Sequence, residues 1–398
     1  MIPEALTQLG LPLEAQEKWS HNWALSQASF PKNGLFFAQE DYLREVAEIS
    51  RLRAEARPAF FASGKLIREH EPLARLAWHC HWLAHLATKE EAGGVSAFPS
   101  SLDAGALLGC TFFSGIVAMA AYPRIKAYYA ERDIPMSVLS DSALALDIWS
   151  ENYFAKYGVW GCDHGSWLIQ HTIPTLFRLG RLEFQFGAFR SSGYTFCRNK
   201  KSGELALLAP PELPVADGGY FAQADQKADF TTTLVKTEES VTGYPALPNG
   251  RLAYQPCTLS LSDWELPFAD GDKVINVHIP ACAPLEYERT RDSFRICRDF
   301  FATYFPGYEY KGFQCGSWLL DSSFPRFLPP ESNIVRFQSL FRLFPAPAGN
   351  DWQHRERVFG NPELPLDQVP QKTSLQKILK REMLKGFRFR GGFGFIPR

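Results

Sequence analysis

The sequence predicts an α+β protein, with an all-helical N-terminal domain over residues 1–178 and a mixed β-sheet domain flanked by helices over residues 179–398. Three observations lead there. A chain of 398 residues exceeds what one core usually organises, so two domains are expected. The apolar spacing runs at three and four residues up to about position 178 and shifts to short, turn-bounded runs from Arg181. Further on, an apolar strand, an amphipathic helix and a second strand follow one another, the order of a parallel crossover unit.

In the first domain helices are expected near 13–26, 39–57, 66–89, 103–130, 138–157 and 163–179, separated by Pro, Gly and Ser. Tyr42, Val46, Ile49 and Leu52 form an apolar stripe, with Glu45, Glu48, Arg51 and Arg53 on the other side. The stretch Ala104 to Pro123 is uncharged over about the length of a bilayer. Gly, Ser and Thr dilute it and no aromatic belt flanks it, so a buried core helix is the reading and no membrane association is expected.

In the second domain LEFQFGAF, SGYTFCRN and ELALLA read as strands, the last two joined through Lys200 to Gly203. Residues 209–270 are rich in Pro, Gly, Asp and Thr and form an irregular β-rich excursion, with strands at 229–236 and 257–262. KVINVHI then alternates so that Val274, Asn276 and His278 share one face and Ile275, Val277 and Ile279 the other, as in a central strand. A helix over about 285–305 carries Tyr287, Phe294, Cys297, Phe301 and Tyr304 in one stripe, and FQCGSWLL at 313–320 is the next strand. The two strands should lie parallel and adjacent, with a ligand site at their carboxyl ends. The tail is expected to be a basic helix ending at Gly386, followed by an edge strand.

Composition narrows the function. Lys+Arg and Asp+Glu nearly cancel, leaving a net charge of -1, so nucleic acid is not an expected partner. The eight cysteines form no CxxC pair or close framework, which points to reduced, mostly buried thiols. The start, MIPEALTQLGLPLEAQ, lacks a basic segment followed by an apolar run, so no signal peptide is read and the expected place is the cytosol. The oligomeric state is not legible.

LFRLGRLEFQ (176–185), WELPFADGDKVINVHIPACAPL (264–285), CGSWLLD (315–321), LPPESNIVRFQ (328–338) and VFG (358–360), with AAYPRIKAYYAERDIP in the helical half, resemble a bacterial acyltransferase family. Its members have a helical N-acyltransferase N-terminal domain and a GNAT-like C-terminal domain. The resemblance implies transfer of an acyl group from coenzyme A, as co-substrate, to a small-molecule amine, with no metal. It also implies that Val277, His278 and Ile279 offer backbone groups to the pantetheine arm. The pyrophosphate would fall to Ala281, Cys282 and Ala283 before the helix, whose start lacks a side-chain cap, with Arg289 offsetting the charge of Glu286 and Glu288. The turn has alanine and cysteine where the family pattern is glycine-rich.

Direct acyl transfer needs a base for the amine and an acid for the departing thiolate. His278, at the end of the central strand, is the candidate base. Ser317 is a candidate donor to the thiolate, Asp321 a residue to orient His278 or hold the amine, and Cys315 either a packed thiol or an acyl-enzyme nucleophile. No tyrosine follows Tyr310, so an acid would have to come from Tyr304, Tyr308 or Tyr310. Two other readings stay open: a catalytically inactive acyl-CoA-binding module, and a metal-dependent hydrolase using His79, His81 and His85 of WHCHWLAHLA. Asp163 in GCDHGSW reads as a helix cap.

Overall fold

The computed structural model describes residues 2–93, 98, 107–223, 225–346 and 350–398. Chain contacts divide it into two units, the first comprising Met1–Leu179 with Pro280–Cys282 and the second Gly180–Ile279 with Ala283–Arg398.

The first unit is helical, in shorter pieces than the spacing predicts. Glu40–Ile49 buries Leu43, Val46 and Ala47 and places Glu40 and Asp41 in its first turn, where they suit the helix dipole. It stops before Leu52, because Ser50 Oγ bonds back to Val46 O and Arg51 takes a left-handed φ of 52°. The expected 66–89 helix is the end of Arg57–Glu69 joined to Glu71–His85, with His70 extended between them ahead of a proline in the next first turn. Of 103–130, residues 103–106 lie outside the described part; the rest forms Phe113–Met119 and Tyr122–Glu131, every residue of the former being buried. No helix among the described residues is long and apolar enough to cross a membrane. The expected 163–179 helix is only Gly165–Leu168 and a 3-10 turn, followed by the strand Leu176–Leu179. Its N-cap is His164 and not Asp163, whose carboxylate lies 2.6 Å from His164 Nδ1. Arg53 ties two helical segments together, meeting the Asp147 carboxylate with Nε at 2.9 Å and Nη2 at 2.8 Å.

In the second unit five strands belong to the main sheet: Leu182–Ala188 (β1), Lys273–His278 (β2), Gly312–Ser317 (β3), Arg342–Pro345 (β4) and Gly392–Pro397 (β5). Their order is β1-β2-β3-β5-β4. β2 is central, antiparallel to β1 and parallel to β3, as the strand–helix–strand order requires. The tail strand β5 is internal, antiparallel to β3 and β4, and the edge falls to β4. Glycine suits this interior strand, because a Cβ at Gly392 would stand 2.0 Å from Leu320 O and one at Gly394 2.8 Å from Phe341.

The helix Tyr287–Tyr304 covers one face of this sheet. Phe294 meets Phe184 at 5.6 Å and Phe313 at 5.1 Å, and Phe301 meets Phe186 at 5.1 Å. Residues 195–265 form three small three-stranded sheets, two of them within the β-rich excursion and one built on the preceding hairpin Thr195–Asn199 and Leu205–Leu208. Phe196, Leu207 and Val215 join Val274, Phe344 and Phe395 in a second core on the opposite face. All eight cysteines are free thiols, six of them buried.

Candidate functional site

The site follows from where the two parallel strands part. β2 and β3 are paired at Ile275↔Phe313 and Asn276↔Gln314, and the pairing ends there. β2 runs on to His278 against β1, and β3 runs on to Ser317 against β5. The strands therefore open into a fork at their carboxyl ends, where Val277 and His278 stand opposite no residue of β3. Such a fork leaves main-chain groups of a central strand available to an extended ligand.

Strand alternation decides which side chains line each side. Ile275 and Val277 share their face with Phe184 and Phe186 of β1 and with Phe313 of β3, against the long helix. Cys315 and Ser317, two and four residues beyond Phe313, belong to that side. His278 belongs to the other, with Asn276, Gln314 of β3, and Glu183 and Gln185 of β1. The expected grouping of His278 with Ser317 and Cys315 thus gives way to strand parity, which sets them on opposite faces.

Each predicted residue has a definite setting. His278 is half-buried, and its Nε2 lies 3.0 Å from Gln185 Oε1. Cys315 is fully buried, and desolvation pushes its thiol up to about 12, so it stays protonated near neutral pH. Ser317 Oγ accepts from Leu319 N at 3.2 Å, capping the 3-10 turn Trp318–Leu320. Asp321 is buried and turned elsewhere: its carboxylate accepts from Ser323 N at 2.8 Å and Arg390 N at 2.5 Å and faces His354 Nε2 at 3.4 Å. Its expected role of orienting His278 is corrected accordingly; its imidazole neighbour is His354. Among the tyrosines, the Tyr308 hydroxyl has two sheet carbonyls within reach of its one proton, Val274 O at 2.8 Å and Gly187 O at 3.0 Å, and accepts from Gly187 N, so it braces β1 against β2. Tyr310 is buried, and Tyr304 packs on Phe300.

The segment after β2 turns through Ala281 and Ala283, both exposed, with Cys282 N bonded to Pro280 O at 3.0 Å. Within the first unit, Arg178 Nη2 lies 2.8 Å from Cys282 Sγ, and Arg178 Nη1 is buried with no hydrogen-bond partner among the described residues. In the second unit Arg181 donates to Ala283 O at 2.6 Å and Pro284 O at 3.1 Å, holding the chain that enters the long helix. That helix has Glu286 at its N-cap, with no side-chain cap bond, so its first amides are left to solvent or a ligand. Arg289 pairs with Glu286 at 3.0 Å and Arg291 with Glu288 at 2.7 Å, so both cations are locally balanced.

The three histidines of WHCHWLAHLA pack into the helical unit, His79 and His81 buried and His85 half-buried. Burial lowers His79 and His85 to about 4 and His81 to about 3. His79 Nδ1 lies 2.7 Å from Ser26 Oγ and His85 Nε2 3.1 Å from Val117 O. Among the described residues, no group of three or more His, Cys, Asp or Glu is placed to hold a metal ion.

Sequence reasoning passed over Glu183, Gln185 and Gln314. The signal was the alternation inside LEFQFGAF: Leu182, Phe184 and Phe186 face one way and Glu183, Gln185 and Gly187 the other, yet Glu183 is buried. Polar side chains at every second position beside a central strand mark a face that is more than packing.

Two family descriptions match the chain. Residues 176–396 match the GNAT-like C-terminal domain and residues 41–172 the N-acyltransferase N-terminal domain. No curated protein matches in sequence. Among solved structures, the chain is similar to an acyltransferase in complex with CoA and 10C-teicoplanin, at 18% identity and a TM-score of 0.68, over 100% of this chain and 99% of that one. It is likewise similar to an acyltransferase in complex with decanoyl-CoA and teicoplanin (18% identity, TM-score 0.66, 100% and 99% covered) and to one in complex with decanoyl-CoA (20%, 0.64, 99% and 98%). At these identities the likeness speaks for the fold.

Proposed function

The chain belongs to the family defined by a GNAT-like C-terminal domain, and on that premise we propose that it moves an acyl group from coenzyme A to a small-molecule amine. The observation that carries this reading is the fork between β2 and β3, with a histidine on its polar side. The pantetheine arm lies along Val277, His278 and Ile279 in this reading, and the phosphates lie toward Ala281, Cys282 and Ala283 with Arg289 nearby. The amine nitrogen attacks the thioester carbonyl carbon and gives up a proton to the His278 imidazole. The tetrahedral adduct then collapses, the C–S bond breaks, and the thiolate takes the proton that His278 accepted, leaving an amide and free coenzyme A. This return of the proton needs no separate acid, which suits a site whose Tyr308 hydroxyl is engaged by the sheet. Nor does it need Cys315, whose protonated thiol argues against an acyl-enzyme.

The similar structures that hold decanoyl-CoA and teicoplanin make medium-chain donors and amine-bearing glycopeptides natural members of a test panel. Purified protein is mixed with acyl-CoAs of increasing chain length and a range of amines, and thiol release is followed with an amide product identified by mass. Release that depends on both substrates supports the reading; a broad panel without release above background overturns it. One observation favours a second reading, a binding module: the Tyr308 hydroxyl bonds Val274 and Gly187, toward the amino end of β2 and away from the fork, so it does not stand where an acid is needed. Coenzyme A seen bound by native mass spectrometry, without turnover, would favour that.

A further inference from the structure

We propose that Gln185 is a positioning residue that sets the tautomer of His278, so that Nδ1 is the nitrogen that takes the proton from the amine. The inference rests on the reading of His278 as the base. β1 and β2 pair His278 with Glu183 and Asn276 with Gln185, so Gln185 is the diagonal neighbour of His278 on the same face. From there Gln185 Oε1 reaches within 3.0 Å of His278 Nε2.

An amide oxygen can only accept. The contact is a hydrogen bond only when Nε2 carries the proton, and a neutral imidazole protonated at Nε2 has its basic lone pair on Nδ1. The same bond persists when Nδ1 takes up a proton, because Nε2–H donates in both states. The imidazole therefore passes between neutral and protonated forms without breaking its contact with the strand. This is the task a carboxylate performs behind a catalytic histidine, carried out here by a neutral amide. Gln185 is itself held by strand pairing on both sides of its position, Phe184 with Val277 and Phe186 with Ile275, so its side chain starts from a fixed base. A half-turn of the amide would present its NH2 to Nε2 and demand the opposite tautomer, with the proton on Nδ1. The two arrangements differ in an observable.

The test labels the histidines of the full chain with 15N and reads their tautomers by long-range 1H–15N correlation, with His278 assigned by its loss in His278→Asn. The expected result is a protonated Nε2 and an unprotonated Nδ1 in the unaltered protein. In Gln185→Leu a mixture of tautomers should appear, and in Gln185→Glu, which keeps an acceptor oxygen, the Nε2–H form should return. In turnover, Gln185→Leu should lower kcat by about 10- to 100-fold with KM changed much less. A protonated Nδ1 in the unaltered protein overturns the proposal, as does a tautomer unmoved by Gln185→Leu in a protein that still melts cooperatively. Full turnover in His278→Asn overturns it as well, by removing the base. Absence of turnover in the unaltered protein sinks the acyl-transfer reading instead and is told apart because the tautomer is read without substrate.

Discussion

The two faces of the central sheet are built from the same strands and do opposite work. Against the long helix stand Phe184, Ile275, Val277 and Phe313, each exposed by 3% or less. On the other face, toward the carboxyl end of β2, stand Gln185, Asn276, His278 and Gln314, all half-buried. Side-chain parity separates the two sets, and position along the strand completes the difference: Val274 shares the parity of Asn276 and His278 but is buried in the second core, so the polar surface is confined to the carboxyl end of β2. Cores on both faces of the sheet, one under the long helix and one around Val274, Phe344 and Phe395, supply the apolar burial that lets the end of β2 carry polar side chains.

Breaking the polar face should have the largest effect on function. His278→Ala is expected to lower kcat/KM by about 10²- to 10⁴-fold, with the melting temperature little changed, measured by thiol release beside thermal denaturation. Breaking the helix-covered face should do the reverse: Phe313→Ala is expected to cost about 3–5 kcal/mol in urea unfolding, while any folded fraction keeps its KM.

The contrast extends to the imidazoles of the helical unit. His79, His81 and His85 have folded values of about 4, 3 and 4 against an ordinary 6.5. The unfolded chain therefore takes up protons first as pH falls, so the stability of the neutral pocket is present above about 6.5 and lost as pH falls toward 4. Lowering pH from 7 to 5 should cost roughly 2 kcal/mol for each imidazole, and replacing His81 with a similarly sized apolar residue should flatten the slope of the urea midpoint against pH. The smallest effect is expected at Cys315. Cys315→Ala should lose about 1 kcal/mol of stability and leave turnover unchanged, and a large loss of turnover would restore the acyl-enzyme and erase the division between the faces.

Some of this was legible in the residues. The change of period near Arg181, the placement of KVINVHI as a central strand, and its parallel pairing with the strand after the helix all came from local alternation and chain order, and the sheet is so arranged. The N-terminal helices were legible as helices and not as pieces, because a single left-handed residue such as Arg51 or an extended His70 ends a helix without interrupting the apolar count around it.

By itself, then, the sequence determined the class of fold, the strand–helix–strand order at the centre of the sheet and which residues alternate with which, since periodicity is a property of neighbouring residues. Tertiary structure decided who meets whom. It turned Asp321 toward His354 and Arg390 N, 69 residues on, drew the tail strand between β3 and β4, and put Cys315 across the sheet from His278. It also brought Gln185 to His278 from 93 residues away. Those partners depend on strand register and on where parallel strands part, which are fixed only when distant segments close on one another and no single stretch of chain records them.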